Sequence, residues 1–223
     1  MKVLIFGATG MVGQGVLREC LAASDVTLVQ TVGRSATGVT HPTLREVTRP
    51  DLSDLSPVAG ELGGFDACFF CLGVSSWRMK EEDYARLTYD LTLGIAQVLA
   101  PINPGMTFVY VSGVGTDSSE RGSIMWARVK GRTENALQRL GFRAVYLFRP
   151  GMIVPIHGER PKAAAYKWLF PVLGPLLPLM RRAFPNSVVT TEIIGRAMLN
   201  VARHGYPQPI LEPPAITAAA STD

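Results

Sequence analysis

Met1-Lys-Val-Leu-Ile-Phe-Gly-Ala-Thr-Gly-Met-Val-Gly13 is the stretch that decides the fold. Val3 to Phe6 form a short apolar run, the pattern of a buried strand. The run gives way to Gly7-Ala8-Thr9-Gly10-Met11-Val12-Gly13, a G-x-x-G-x-x-G turn that leads into helically spaced apolar residues. Gly7 lets the chain turn sharply off the strand, and Gly10 leaves room where a pyrophosphate approaches the backbone. Gly13 lets the new helix pack closely on the sheet. The helix N-terminus then offers unpaired N–H groups and partial positive charge to phosphates. A ligand-free strand-to-helix turn shares this glycine pattern, but its position directly after an N-terminal strand favours a dinucleotide site. Gly7, Thr9, Gly10, Met11, Val12 and Gly13 are therefore candidate cofactor contacts.

The same alternation continues outward. Apolar runs at Val26–Val32, Leu44–Val47, Ala67–Leu72, Thr107–Ser112 and Ala144–Phe148 predict strands. Met11–Ala23, Glu81–Leu99 and Ile124–Leu140 carry helical spacing. Strand–helix alternation of this kind predicts an α/β fold with a doubly wound parallel Rossmann sheet. Texture changes after Pro150: eleven of the sixteen prolines fall in residues 150–223. The expected organisation is one domain, 1–223, with a cofactor-binding core over 1–150 and a small substrate-side segment over 151–223.

A chain of 223 residues that is 47% hydrophobic and 18% charged is globular, with enough bulk for a real core. The charge is uneven. Residues 1–111 carry 8 basic and 11 acidic side chains, residues 112–223 carry 14 and 7, so the second half is basic. Cofactor phosphates, an acidic partner or a membrane surface would each suit that half. No continuous basic run or aromatic nucleic-acid motif accompanies it, and nucleic acid is not an expected partner. Tyr166 to Arg182 is almost wholly apolar up to Met180 but is broken by Pro171, Pro175 and Pro178. It reads as a pocket lid or interface segment, with peripheral membrane contact as the alternative. Cys68 and Cys71 lie inside an apolar strand pattern with no second ligand pair, so buried structural thiols are expected. His41, His157 and His204 lack metal-ligand spacing, and no metal site is expected. Reduced thiols and the absence of a visible signal peptide imply the cytoplasm.

The end of the second strand declares the cofactor. Enzymes using NAD place an acid there for the ribose 2′-OH, whereas arginine accommodates the NADP 2′-phosphate. Here Val26–Val32 runs into Gly33-Arg34-Ser35, with no acid at that point. Arg34 and Ser35 therefore predict NADP, with NAD as the alternative.

Taken with Gly7–Gly13 and Gly33-Arg34-Ser35, further landmarks form a set: Asp51-Leu52, Cys71-Leu72-Gly73, Val111-Ser112, Val129-Lys130-Gly131 and Arg149-Pro150-Gly151. Over nearly its whole length the chain resembles an atypical short-chain dehydrogenase/reductase of the Tat-interacting oxidoreductase-like branch. That resemblance implies that Asp51 and Leu52 border the adenine and that Leu72 and Gly73 pass beside the adenosine ribose. It places Pro150, Gly151 and Met152 at the nicotinamide end. It also implies a Ser–Tyr–Lys catalytic set, with Tyr and Lys four apart on one helical face. Ser112 and Lys130 match, but the tyrosine position is Trp126. An indole donates a hydrogen bond but exchanges no proton near neutral pH.

Two functions stay open. One is an NADPH-dependent reductase of a small apolar carbonyl compound, with the proton drawn from water or from a displaced side chain such as Tyr84, Tyr89 or Tyr166. The other is a catalytically silent NADP(H)-binding regulatory or assembly protein with a protein or membrane-surface partner. Lys130 reads as a ribose ligand, or as a helix-surface lysine paired with Glu134. Ser112 reads as a substrate contact, or as a strand-end hydroxyl capping the next turn.

Overall fold

A computed structural model describes residues 1–159 and 187–221. Nine strands and six α-helices are assigned within them. β1 (Lys2–Phe6) leads into α1 (Met11–Ala22), followed by β2 (Leu28–Gly33) and β3 (Leu44–Thr48). After a 3-10 turn at Ser56–Glu61 come β4 (Ala67–Phe70), α2 (Glu81–Ala85) and α3 (Leu91–Ile102). β5 (Thr107–Val111), α4 (Met125–Leu137) and β6 (Ala144–Phe148) complete the first half of the alternation. Then come β7 (Met152–Val154), β8 (Val188–Thr190), α5 (Thr191–His204), β9 (Ile210–Leu211) and α6 (Pro213–Ala220).

Seven strands form one parallel sheet in the order β3-β2-β1-β4-β5-β6-β9. This is the doubly wound Rossmann arrangement, whose order reverses between β1 and β4. Both faces are covered, so the central strands β1, β2, β4 and β5 are largely buried on both sides, while the edge strand β3 stays half-exposed. Period-two alternation sorts the side chains. Val3 and Ile5 of β1, Ala67 and Phe69 of β4 and Val109 of β5 pack under α1 and α5, against Val16, Leu17, Ile194 and Met198. Leu4, Phe6, Cys68, Phe70, Phe108 and Tyr110 face the other way, under Ile95 and Leu99 of α3. Phe70 stacks on Phe6 with ring centroids 5.6 Å apart and on Phe108 at 5.8 Å. Each such buried aromatic contributes about 1.5–3 kcal/mol over exposure.

Strand boundaries follow the sequence pattern to within two residues. The Glu81–Leu99 helix is more complex than its periodicity predicts. α2 widens into a π turn at Arg86–Asp90 before α3, which runs on to Ile102. Glu81, Glu82 and Asp83 occupy its first turn, where the helix dipole favours them. β4 stops at Phe70, so Cys71 lies just past the strand rather than in it. Cys68 packs in the α3-side core, and Cys71 packs against the opposite one.

Beyond Pro150 the chain contributes structure to the central core. β9 adds the seventh strand, and α5 packs along α1. Their close approach depends on small residues: a Cβ on Gly15 would lie 2.5 Å from the Thr191 Cβ. α5 starts on Thr190, whose hydroxyl accepts the Ile193 N–H at 3.1 Å. The Tyr166–Arg182 segment lies outside the described residues.

Candidate functional site: a dinucleotide-type cleft and a buried polar cluster

The carboxyl ends of β1, β2 and β4 frame a cleft at the point where strand order reverses, the usual ligand position in such sheets. Gly7 turns off β1 at φ +83°, a conformation that L side chains rarely adopt. A Cβ there would also lie 2.7 Å from the Cys71 carbonyl carbon and the Leu72 nitrogen. Gly13 is tighter: its Cβ would stand 2.1 Å from the Gly7 oxygen, which itself accepts the Gly10 N–H at 2.9 Å. The glycines thus allow the turn and the first turn of α1 to nest together. Among the described residues no side chain caps α1, and its first turn holds no acid, so its N-terminus keeps its positive end for an anion. These features fit a dinucleotide pyrophosphate.

Gly7, Thr9, Arg34, Ser35, Leu52 and Leu72 line the same cleft, together with Val32 and Gly33. Asp51 is exposed beside it, and its carboxylate accepts from the Ser53 backbone N–H at 2.8 Å and the Ser53 hydroxyl at 2.7 Å. Those bonds hold its carboxyl below the usual carboxylate range. Gly73 is exposed beyond the lining; Met11 and Val12 are half-buried on the first turn of α1. Glu46 of β3 contacts the loop after β2. It is bound by Thr37, whose N–H and hydroxyl donate at 2.8 and 2.6 Å.

A second group gathers where β5 and β6 end against α4. The Lys130 Nζ donates to the Ser112 carbonyl at 2.5 Å. The Ser112 hydroxyl donates to Glu134 Oε1 at 2.5 Å and approaches the Phe148 carbonyl at 3.2 Å. Arg149 reaches the same carboxylate, with Nη2 to Oε2 at 2.5 Å and Nε to Oε1 at 3.1 Å, and also donates to the Ser118 hydroxyl at 2.5 Å. The Glu134 side chain is fully enclosed. Burial of the Lys130 ammonium pulls its pKa down to about 8, with Glu134 opposing the shift. Pro150 is carried into the group by its carbonyl, which accepts the Val114 N–H at 3.0 Å. Gly151 has no room for a Cβ, which would sit 2.4 Å from the Ser187 oxygen, and Met152 is exposed.

Sequence reasoning missed two members of this group, Glu134 and the side chain of Arg149. Pairing of Lys130 with Glu134 on a helix surface is overturned, because Glu134 points inward to Arg149 and Ser112. The available signal was the four-residue spacing of Trp126, Lys130 and Glu134 down one face of α4. Trp126 is half-buried, with its ring 3.5 Å from where a Gly115 Cβ would stand. The displaced-acid candidates do not join the cluster directly. Tyr84 is 2% exposed, and burial raises its pKa. Tyr89 carries the Arg132 guanidinium 4.0 Å over its ring. Tyr166 lies outside the described residues.

All three cysteines are free, and burial pushes the Cys71 thiol up to about 12. Among the described residues no three potential ligands gather into a metal site, and no helix is long and apolar enough to cross a membrane.

No protein-family model matches the chain. It is 28% identical over 202 residues to the Rattus norvegicus protein HTATIP2, a Tat-interacting protein, covering 89% of this chain and 80% of the relative. It is 25% identical over 206 residues to the mitochondrial protein fmp52 of Emericella nidulans, covering 89% and 86%. Among solved structures it matches the Bordetella bronchiseptica enzyme WbmF, crystallised with NAD+, at TM-score 0.68 and 15% identity over 99% of this chain and 76% of the other. It matches a Francisella tularensis short-chain dehydrogenase family protein at TM-score 0.63 and 13% identity, covering 92% and 91%. In sequence the chain is similar to these relatives, and in fold to short-chain dehydrogenase/reductases, as an atypical member of that class would be. Within that class it resembles the branch of HTATIP2 and the fungal fmp52 proteins. The fungal relatives are named mitochondrial, which lends no support to the cytoplasmic expectation.

Proposed function

We propose that the protein binds a nicotinamide dinucleotide in the glycine-lined cleft, prefers NADP(H), and reduces a small apolar carbonyl compound. One observation carries the preference: Arg34 and Ser35 line the cleft where an NAD enzyme would place an acid, and no carboxylate is among the described lining residues. NAD-bound WbmF supports the dinucleotide class only. The glycine turn and the α1 N-terminus would hold the pyrophosphate, Leu52 and Asp51 would border the adenine, and Leu72 and Gly73 the adenosine ribose. Lys130 would bond the second ribose, and Pro150 to Met152 would flank the nicotinamide. When bound, the cofactor would supply the reducing equivalent. The chain's own residues would orient the carbonyl compound and deliver a proton from water.

The test is a paired NADPH and NADH titration by calorimetry on the wild type and Arg34→Ala. Losing a charge-assisted phosphate contact costs about 1.5–3 kcal/mol, so NADPH should weaken by about tenfold to a hundredfold while NADH changes little. Equal losses for both would remove the 2′-phosphate role from Arg34.

A catalytically silent cofactor-binding protein is the second reading, and two features favour it. Trp126 cannot exchange a proton, and the Ser112 hydroxyl is committed to Glu134. Under this reading Trp126→Tyr gains carbonyl reduction from a null background. Native turnover of quinones or aldehydes at about 1 per second or faster would end it. Three free thiols suit any reducing compartment, cytoplasm included.

A further inference from the structure

β3 carries a second arginine to the same end of the sheet. Val32 of β2 and Val47 of β3 are register partners, and both pack in the core on the α3 side of the sheet. Arg34 and Arg49 each lie two residues further on, as the first residue past its strand, and Arg34 lines the dinucleotide-type cleft. The ladder extends past the last paired residues, because the Arg49 N–H donates to the Gly33 carbonyl at 2.8 Å. The two arginines thus follow adjacent strand ends, where two guanidinium groups brought together are unfavourable unless something negative lies between them.

Nothing in the described chain fills that role. Neither Arg34 nor Arg49 makes an ion pair or side-chain hydrogen bond among the described residues. The Arg49 Nε is fully buried and has no acceptor. A covered guanidinium N–H without a partner is costly and rare. The local acids are committed elsewhere: Asp51 accepts both Ser53 donors, and Asp54 accepts the Ser56 N–H and hydroxyl at 3.0 and 2.6 Å. Those serine bonds dominate the lowered pKa of each carboxyl, and Arg49 is the smallest influence on both.

We propose that Arg49 is a second specificity-determining residue for the cofactor, forming with Arg34 a two-arginine clamp on the adenosine 2′-phosphate. This rests on the dinucleotide reading and deepens it. A phosphate dianion bridging the two side chains would relieve their repulsion and give the Arg49 Nε its missing acceptor. Arginine suits the place because its fork can present Nε and Nη together to phosphate oxygens, which a lysine cannot do.

The experiment isolates the subsite by titrating adenosine 2′,5′-bisphosphate and adenosine 5′-phosphate into wild type, Arg34→Ala, Arg49→Gln, Arg49→Lys and Arg34→Ala/Arg49→Gln by calorimetry. Arg49→Gln should weaken the bisphosphate by about tenfold or more and leave the 5′-phosphate within about twofold. Arg49→Lys, which keeps the charge but loses the Nε, should fall between wild type and Arg49→Gln, and it serves if Arg49→Gln fails to fold. The double variant should lose less than the product of the single losses, because both groups hold one phosphate. A wild type that prefers the bisphosphate while both Arg49 variants bind it normally overturns the clamp and leaves the dinucleotide reading standing. Equal losses for both nucleotides overturn the clamp as well. A wild type that binds neither nucleotide overturns both.

Discussion

Replacing Glu134 with alanine should be among the most damaging single changes outside the aromatic core. Its enclosed carboxylate is the common acceptor for the Ser112 hydroxyl and for two Arg149 nitrogens. Among the described residues, alanine leaves Arg149, whose side chain is only 10% exposed, with the neutral Ser118 hydroxyl as its remaining side-chain acceptor. Breaking one side of a buried ion pair costs about 3–5 kcal/mol, because the stranded charge has lost its solvent and its counterion. For a chain of this size each kcal/mol moves Tm by about 2–4 °C, so a fall of about 6–20 °C is expected. The paired replacement Glu134→Leu/Arg149→Met removes both charges and should recover most of that loss. Circular dichroism melts of Glu134→Ala, of the singles Glu134→Leu and Arg149→Met, and of the double variant read it directly. A Glu134→Ala loss below about 1 kcal/mol, the size of an exposed pair, would refute the buried-pair reasoning. So would a double variant as unstable as the sum of the singles.

Two further outcomes follow from the geometry. Gly13→Ala puts a methyl 2.1 Å from the Gly7 oxygen, so the turn and α1 must separate; dinucleotide binding should be lost with a stability cost of about 1–3 kcal/mol, and a variant that binds like wild type would contradict the nesting. Lys130 has its pKa drawn down to about 8 in the folded chain from 10.5. Between those values the unfolded chain holds the extra proton, so this group makes stability rise with pH there, and below about 8 its penalty is constant. The stability difference between Lys130→Met and wild type should therefore shift toward wild type as pH is raised from 8 to 10; denaturant melts showing a constant difference would contradict it.

What could be read along the chain was local. The strand–turn–helix at Val3 to Gly13 depends on backbone sterics and on contacts within a dozen residues, so its glycines declared it. The buried strands did the same through continuous apolar runs. Arg34 was legible because it sits at a fixed distance along one β-α-β unit. The C-terminal elements were not legible. β9 is two residues long, and α5 is specified by its fit to α1 through Gly15 and Gly195, a contact between distant parts of the chain.

Sequence by itself determined the class of fold, the glycine cradle and the placing of Trp126 four residues before Lys130, because each is a property of residue type at short spacing. Tertiary structure decided which charges meet. It turned Glu134 from a surface partner of Lys130 into the enclosed counterion of Arg149, 15 residues away, and committed the Ser112 hydroxyl to it. It also brought the strand ends before Arg34 and Arg49 together, with the Arg49 N–H donating to the Gly33 carbonyl. Electrostatic partnership depends on distance and burial, and in a parallel sheet both are set by register and crossover packing rather than by order along the chain.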